Sequence, residues 1–251
     1  MSFFLENKIA LVTGGARGLG AAVIHCLSSH GAQGSAVDRD PPGDEPHLPT
    51  QFIAIQADVK DEESLKTAIE QTVARFGRLD IVVANAGVVP PWSETADLDL
   101  GQWDEVMAIN ARGTLATIKH AIAPLSRTRG SIVITGSINS IVAHPRQLVY
   151  TASKHAVLGI LKATALDLGR YGIRVNGIAP GPIATDALLN RIQHRAKSGP
   201  SESEAMAALA AQTALGRLAT AAEVASTVAF LAGAGASGIT GQLIRVDAGM
   251  A

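Results

Sequence analysis

The chain is nearly without cysteine: Cys26 stands alone among 251 residues, so no internal disulfide can staple the fold and a reducing compartment fits best. Charge of one sign is equally scarce. Twenty-one basic residues against 22 acidic ones leave a net charge of -1, which gives no broad electrostatic reason to bind nucleic acid or an anionic membrane. No run of about 18 apolar residues offers a membrane span. The N-terminal Met-Ser-Phe-Phe-Leu-Glu-Asn-Lys meets a charge too early for a signal peptide, and a cytoplasmic protein is expected. His25, His30, His47, His120, His144, His155 and His194 form no ligand-spaced group with Cys26 or paired carboxylates, so no metal is expected and these histidines default to surface or packing roles. Linkers, composition breaks and internal repeats are absent too.

What remains is a 47% hydrophobic chain in which short apolar runs alternate with longer segments of helical period. Strands are expected at Lys8 to Thr13, Gly34 to Asp38, Phe52 to Ala57, Leu79 to Ala84, Ser131 to Thr135, Arg174 to Ala179 and Gln242 to Val246. Several are apolar throughout, as strands buried on both faces should be. Helices are expected at Gly18 to His30, Asp61 to Phe76, Gln102 to Leu125, Tyr150 to Tyr171 and Ala221 to Leu231. The alternation implies one α/β domain over 1–251, a doubly wound, Rossmann-type seven-stranded parallel sheet with helices on both faces. Pro41, Pro42, Pro46 and Pro49 predict that the helix between the second and third strands is shortened or replaced by a loop. A second irregular stretch, 180–217, follows a strand carboxyl end, where ligands bind in such sheets, and is a candidate substrate-binding loop or lid.

The loop Thr-Gly-Gly-Ala-Arg-Gly-Leu-Gly at 13–20 follows the first strand and opens the first helix. Gly14, Gly18 and Gly20, with Arg17 and Leu19 between them, would let backbone approach a pyrophosphate seated on unpaired helix N-H groups; the plainer reading is a tight turn. Asp38 ends the second strand 18 residues beyond Gly20, close to the offset at which an acid bonds an adenosine ribose. A carboxylate there repels the 2'-phosphate of NADP, while Arg17 and Arg39 could attract it. NAD is favoured, because the acid is placed to touch the ribose whereas two flexible arginines can swing into solvent.

Tyr150 and Lys154 stand four residues apart in Tyr-Thr-Ala-Ser-Lys, about one helical turn, so the phenol and the ammonium share a helix face. A phenol of pKa about 10 is scarcely ionised at neutral pH, and a nearby cation favours its phenolate. Ser137 lies upstream in Ile-Thr-Gly-Ser. With the glycine loop, Ala57-Asp58-Val59, Asn85-Ala86-Gly87, Asn110 and Pro180-Gly181, these residues occur in the order and spacing of a known family, and from Lys8 to Gly249 the chain resembles the short-chain dehydrogenases/reductases. Two departures are Ala84, where the family often has a second asparagine, and the proline-rich loop after Asp38.

The resemblance implies a hydride transfer between NAD and a secondary alcohol or ketone. Tyr150 would be the acid/base, Lys154 would support it and bond the nicotinamide ribose, Ser137 would hold the substrate oxygen, and Asn110 would hold a water in a relay to Lys154. Asp58 and Val59 would bracket the adenine, Asn85, Ala86 and Gly87 would approach the cofactor, and Ile183 and Thr185 would contact the carboxamide. A homotetramer is implied as well. Asn139, His144, Arg146, Trp92 and residues 184–195 would wall the substrate pocket. The small-molecule substrate is then a polyol, sugar, cyclic alcohol or steroid, or a hydroxy acid or sugar acid if Arg146, Arg191 and Arg195 clamp a carboxylate; part of Leu188 to Arg195 looks like family members acting on such acids. A non-catalytic NAD-binding protein is the rival from another class, and its mark would be a broken Ser-Tyr-Lys set.

Overall fold

The structure, a computed structural model, describes residues 4–40, 48–184, 188, 192 and 201–250. Seven parallel strands form one sheet: β1 (Ile9–Thr13), β2 (Gln33–Asp38), β3 (Phe52–Gln56), β4 (Ile81–Ala84), β5 (Ser131–Thr135), β6 (Arg174–Pro180) and β7 (Leu243–Val246). Their order across the sheet is β3-β2-β1-β4-β5-β6-β7. The chain therefore reverses direction at β1, with β2 and β3 running to one side and β4 to the other, which opens a crevice at the carboxyl ends of β1 and β4.

The apolar strands owe their composition to helices on both faces. In β1, Leu11 points to one core, shared with Leu65 and Ile69 of α2 (Glu62–Phe76), while Ala10 and Val12 point to the other, shared with Ile24 and Leu27 of α1 (Gly18–Ser29). Alternate residues of β4 and β5 divide in the same way. Helix α2 has local reasons to form where it does: Asp61 accepts from the Glu63 and Ser64 amides, two glutamates follow in the first turn, and Gly77 takes the left-handed conformation just beyond the end.

The helix expected over Gln102 to Leu125 is three pieces: α3 (Leu100–Met107), a π turn over Ala108–Arg112, and α4 (Gly113–Thr128). Helix α5 runs over Leu148–Leu168. The stretch expected to be irregular after Pro180 contains α6 (Glu202–Ala210), where Ser201 and Glu204 form a reciprocal cap; α7 (Ala221–Ala232) follows and packs on α1. Between β2 and β3 the described residues hold no helix, and 41–47, with three of the four prolines and His47, lie outside them. Among the described residues no helix is long and apolar enough to cross a membrane.

One polar group is buried at the opposite edge of the sheet from the crevice. Asp80, 4% exposed, accepts from the Ile9 amide at 3.0 Å and from both sides of the Arg78 guanidinium at 2.6 and 2.8 Å, and its main chain exchanges bonds with Ile9 and Ser131. It ties the amino ends of β1, β4 and β5 together. Asp80→Ala leaves the Ile9 amide without its acceptor and is expected to lower stability by about 2–3 kcal/mol. Urea unfolding checks this; an unchanged midpoint contradicts it.

Candidate active site

The crevice is a cleft of about 1080 Å³. That is at the upper end of small-molecule sites, with room for a dinucleotide and a second small ligand. Gly14, Arg17, Gly18, Leu19 and Gly20 form its floor at the carboxyl end of β1. The turn needs glycine at specific places: Gly14 and Gly18 have φ of +65° and +58°, and a Cβ on Gly20 would lie 1.9 Å from the Gly14 carbonyl. A Cβ on Gly18 would meet nothing within 4 Å, so this backbone faces open space. The N-cap of α1, Arg17, makes no side-chain cap and no acid occupies the first turn. Free N-H groups beside open space suit a phosphate, and the loop fits a dinucleotide.

Asp38 is fixed at the end of β2 by the Ala16 amide, 3.0 Å from Oδ2, and the Asp40 amide, 3.3 Å from Oδ1. Arg17 and Arg39 are exposed, as their sequence positions suggest, and both are directed to one acid. Both reach Asp40: Arg39 at 3.0 Å and Arg17 at 3.7 Å. The Asp40 carboxyl is held below its ordinary value chiefly by its hydrogen bond to Arg39. Asp58 caps the Lys60 amide at 2.9 Å, and Val59 packs under Gly113, where a Cβ would lie 2.8 Å from Val59 Cγ2.

Asn85, Ala86 and Gly87 border the cleft, but the Asn85 side chain faces the fold. Its Nδ2 donates to the Thr13 and Gly14 carbonyls, and its Oδ1 accepts from Thr135 Oγ1. Thr13 Oγ1 accepts from the Asn85 and Ala86 amides. These bonds bind β1, β4 and β5 together under the cleft, and nothing in the motif distinguishes such a strut from a ligand contact. Asn110 shows the same economy. Its amide exchanges two bonds with the Val88 main chain and donates to Ser153 Oγ, which uses both donors and one of the oxygen's two lone pairs. The Asn110 carbonyl lies in the π turn and accepts from Thr114 Oγ1 at 2.7 Å.

Tyr150 sits in the first turn of α5, with Lys154 one turn on. Lys154 is 4% exposed; its Nζ donates to the Thr135 carbonyl at 2.9 Å and stands 5.7 Å from the Tyr150 ring centroid. Burial pushes the ammonium down to about 8. A Cβ on Gly87 would lie 3.2 Å from Asn110 Oδ1 and 3.7 Å from that Nζ, so Gly87 stands beside both groups. Ser137, just past β5, accepts from the Asn139 amide at 3.1 Å, and Asn139 Nδ2 donates to Gln147 Oε1 and Thr151 Oγ1. Asn139 thereby couples the serine loop to α5; Gln147 and Thr151 were not anticipated from sequence.

Ser137, Tyr150 and Lys154 border the same cleft as the glycine loop. Val88, Val89, Trp92, Leu188, Leu209 and Met250 supply an apolar wall, and Asn139, His144 and Gln147 supply polar points on it. His144 Nε2 is buried with no hydrogen-bond partner among the described residues. Arg146 is not among the lining residues: it pairs with Glu94 at 3.8 Å and lies over the Trp92 ring. Thr185, Arg191, His194 and Arg195 lie outside the described residues, as do 186, 187, 189, 190, 193 and 196–200. Pro180, Gly181 and Ile183 border the cleft. Gly181 is required where it stands, because a Cβ there would be 2.8 Å from Asp247 Cβ. No metal-binding group of three or more ligands occurs among the described residues.

Known proteins match this arrangement along the whole chain. A family model described as enoyl-(acyl carrier protein) reductase matches residues 14–251. Short-chain dehydrogenase reductase 3a of Arabidopsis thaliana is 38% identical over 251 residues, covering 98% of this chain and 95% of the relative. L-fucose dehydrogenase of Mus musculus is 36% identical over 230 residues, covering 90% and 82%. The crystal structure of carveol dehydrogenase from Mycobacterium avium in complex with NAD superimposes with a TM-score of 0.89 at 29% identity, covering 98% of each chain.

Proposed function

Because the chain belongs to the short-chain dehydrogenase/reductase family of oxidoreductases, we propose that it interconverts a secondary alcohol and its ketone with NAD, Tyr150 moving the proton. The observation that carries this reading is the buried Lys154 ammonium 5.7 Å from the Tyr150 ring, in the cleft that the glycine loop and Ser137 also border. NAD bound on that loop supplies the hydride acceptor or donor. Tyr150 Oη takes the proton of the alcohol in oxidation and returns it in reduction. Lys154 favours the phenolate by its charge, and the Thr135 carbonyl holds it in place. Ser137 Oγ orients the substrate oxygen, and Asn110, whose main chain lies in the π turn, holds a relay water behind Lys154.

The fit of the dinucleotide rests on the glycine loop with Arg17 and Leu19, on Asp38 at the ribose, Asp58 and Val59 at the adenine, and Ala86, Gly87, Pro180, Gly181, Ile183 and Thr185 along the rest. The apolar wall favours a cyclic alcohol over a polyol as substrate, and His144, with a hydrogen bond still to make, meets its polar edge. With Arg146 turned to Glu94, the carboxylate clamp loses the member that could be placed. We read 180–217 as the lid of a single domain; its helix α6 carries Ala205, Ala208 and Leu209 to the cleft. Leu115 on α4 and Leu166 on α5 are 47% and 85% exposed, which supports helix-paired subunits of a cytoplasmic homotetramer. Light scattering that gives a monomer mass removes that assembly.

Nicotinamide absorbance, followed with NAD against cyclic secondary alcohols, sugars and hydroxy acids, tests the reading. Turnover is expected with cyclic alcohols and kcat/KM at least about tenfold lower with hydroxy acids, because Arg146, the clamp residue that the structure describes, pairs with Glu94. Tight NAD binding without turnover on any compound returns the non-catalytic alternative.

A further inference from the structure

We propose that Asp40 is a determinant of cofactor choice, because its carboxylate occupies the two arginines that would otherwise receive a 2'-phosphate. The inference rests on the reading of the cleft as a dinucleotide site. Arg17, Asp38, Arg39 and Asp40 all border one end of that cleft. Asp38 alone repels a phosphate on the ribose, but two guanidinium groups within the same rim would offset that repulsion if they were free. They are not free. Arg39 grips Asp40 in a fork, with Nη2 3.0 Å from Oδ2 and Nε 3.4 Å from Oδ1, and Arg17 Nη2 approaches the same Oδ2 at 3.7 Å.

The main chain presets the arrangement. The Asp40 amide donates to Asp38 Oδ1, and the Arg39 carbonyl accepts from Gln56 Nε2 at 3.0 Å, so three consecutive residues at the end of β2 are held with alternating charge. Asp38 faces the Ala16 amide while Asp40 faces both arginines. With Asp58, which also acts on Arg39, the rim holds three carboxylates against two guanidiniums; removing Asp40 takes it from net negative to neutral and leaves both arginines without that partner. Because the pairs are exposed, their strength is modest and falls with salt, so the effect belongs to selectivity rather than to stability.

The test is binding, with no turnover required. Calorimetry with adenosine 2',5'-bisphosphate and with adenosine 5'-monophosphate compares wild type, Asp40→Ala, the Arg17→Ala/Arg39→Ala pair, and the triple variant. Asp40→Ala is expected to bind the 2'-phosphorylated ligand about tenfold tighter at low salt while binding of the monophosphate shifts less than about threefold. The gain is expected to vanish when the same change is made in the arginine-less background. An equal affinity for the bisphosphate, or a gain of the same size without the arginines, overturns the proposal while leaving the dinucleotide site intact. A wild type that binds neither ligand nor NAD removes the site and the proposal together.

Discussion

Tyr150→Phe is expected to lower kcat for the secondary alcohol by about a thousandfold, within the range that a positioned acid/base contributes, with folding and NAD affinity preserved. The substitution removes one oxygen from a half-buried side chain whose ring stays against Lys154. No cavity opens, so the loss is chemical. Steady-state kinetics beside calorimetric NAD titration separates the two effects. A kcat within tenfold of wild type sinks the role given to Tyr150, whereas a variant that loses NAD binding as well points to the phenol as a binding group.

The second large effect concerns Lys154, and its sign on stability is opposite to its sign on activity. The folded ammonium titrates near 8 rather than 10.5 because it is buried. Between these values the unfolded chain holds a proton that the folded chain has released, so stability rises with pH through that window, and below about pH 8 the full penalty applies, on the order of 3 kcal/mol. Lys154→Met removes the buried charge but leaves the Thr135 carbonyl without its donor, which returns about 1–2 kcal/mol of that gain. The expected result at pH 7 is a cofactor-free protein about 1–2 kcal/mol more stable than wild type, with kcat lowered at least about a hundredfold. Above pH 10 the stability difference should disappear or reverse. Urea unfolding at both pH values decides it; a variant less stable at pH 7 by the same amount as at pH 10 shows that the charge carries no penalty in the fold.

The juxtaposition of Tyr150 and Lys154 was legible because it depends on spacing along one helix, which residue order records. The strands were legible for a related reason: helices cover both faces of the sheet, so Leu11, Val82 and Ile132 on one side and Val12, Val83 and Val133 on the other all had to be apolar. Where a polar side chain finds its partner across the fold, the sequence is silent. Asn85 and Asn110 carry the family motif, yet their amides serve Thr13, Gly14, Thr135, Val88 and Ser153, residues from 22 to 72 positions away. Arg17 and Arg39 are exposed as expected, but their shared partner Asp40 does not follow from residue order alone. Helix α6 was missed because its alanines, with no buried residue among them, give no apolar stripe; only the Ser201 and Glu204 cap marks it.

The π turn at Ala108–Arg112 makes the length of this segment part of the site. A π turn is a helix carrying one residue too many, and one residue is about 100° of rotation. Deleting a residue there would restore a regular helix and swing everything beyond it by more than a quarter turn, taking Ile118, Ala121 and Leu125 off the face they bury. Inserting one would do the reverse. Substitutions along α4 can be absorbed one side chain at a time, but a change of length between Met107 and Gly113 must be matched by a new interface along the entire helix. The packing of α4 is therefore indexed to the π turn as a gear is to its tooth, and through it to the site proposed around Asn110.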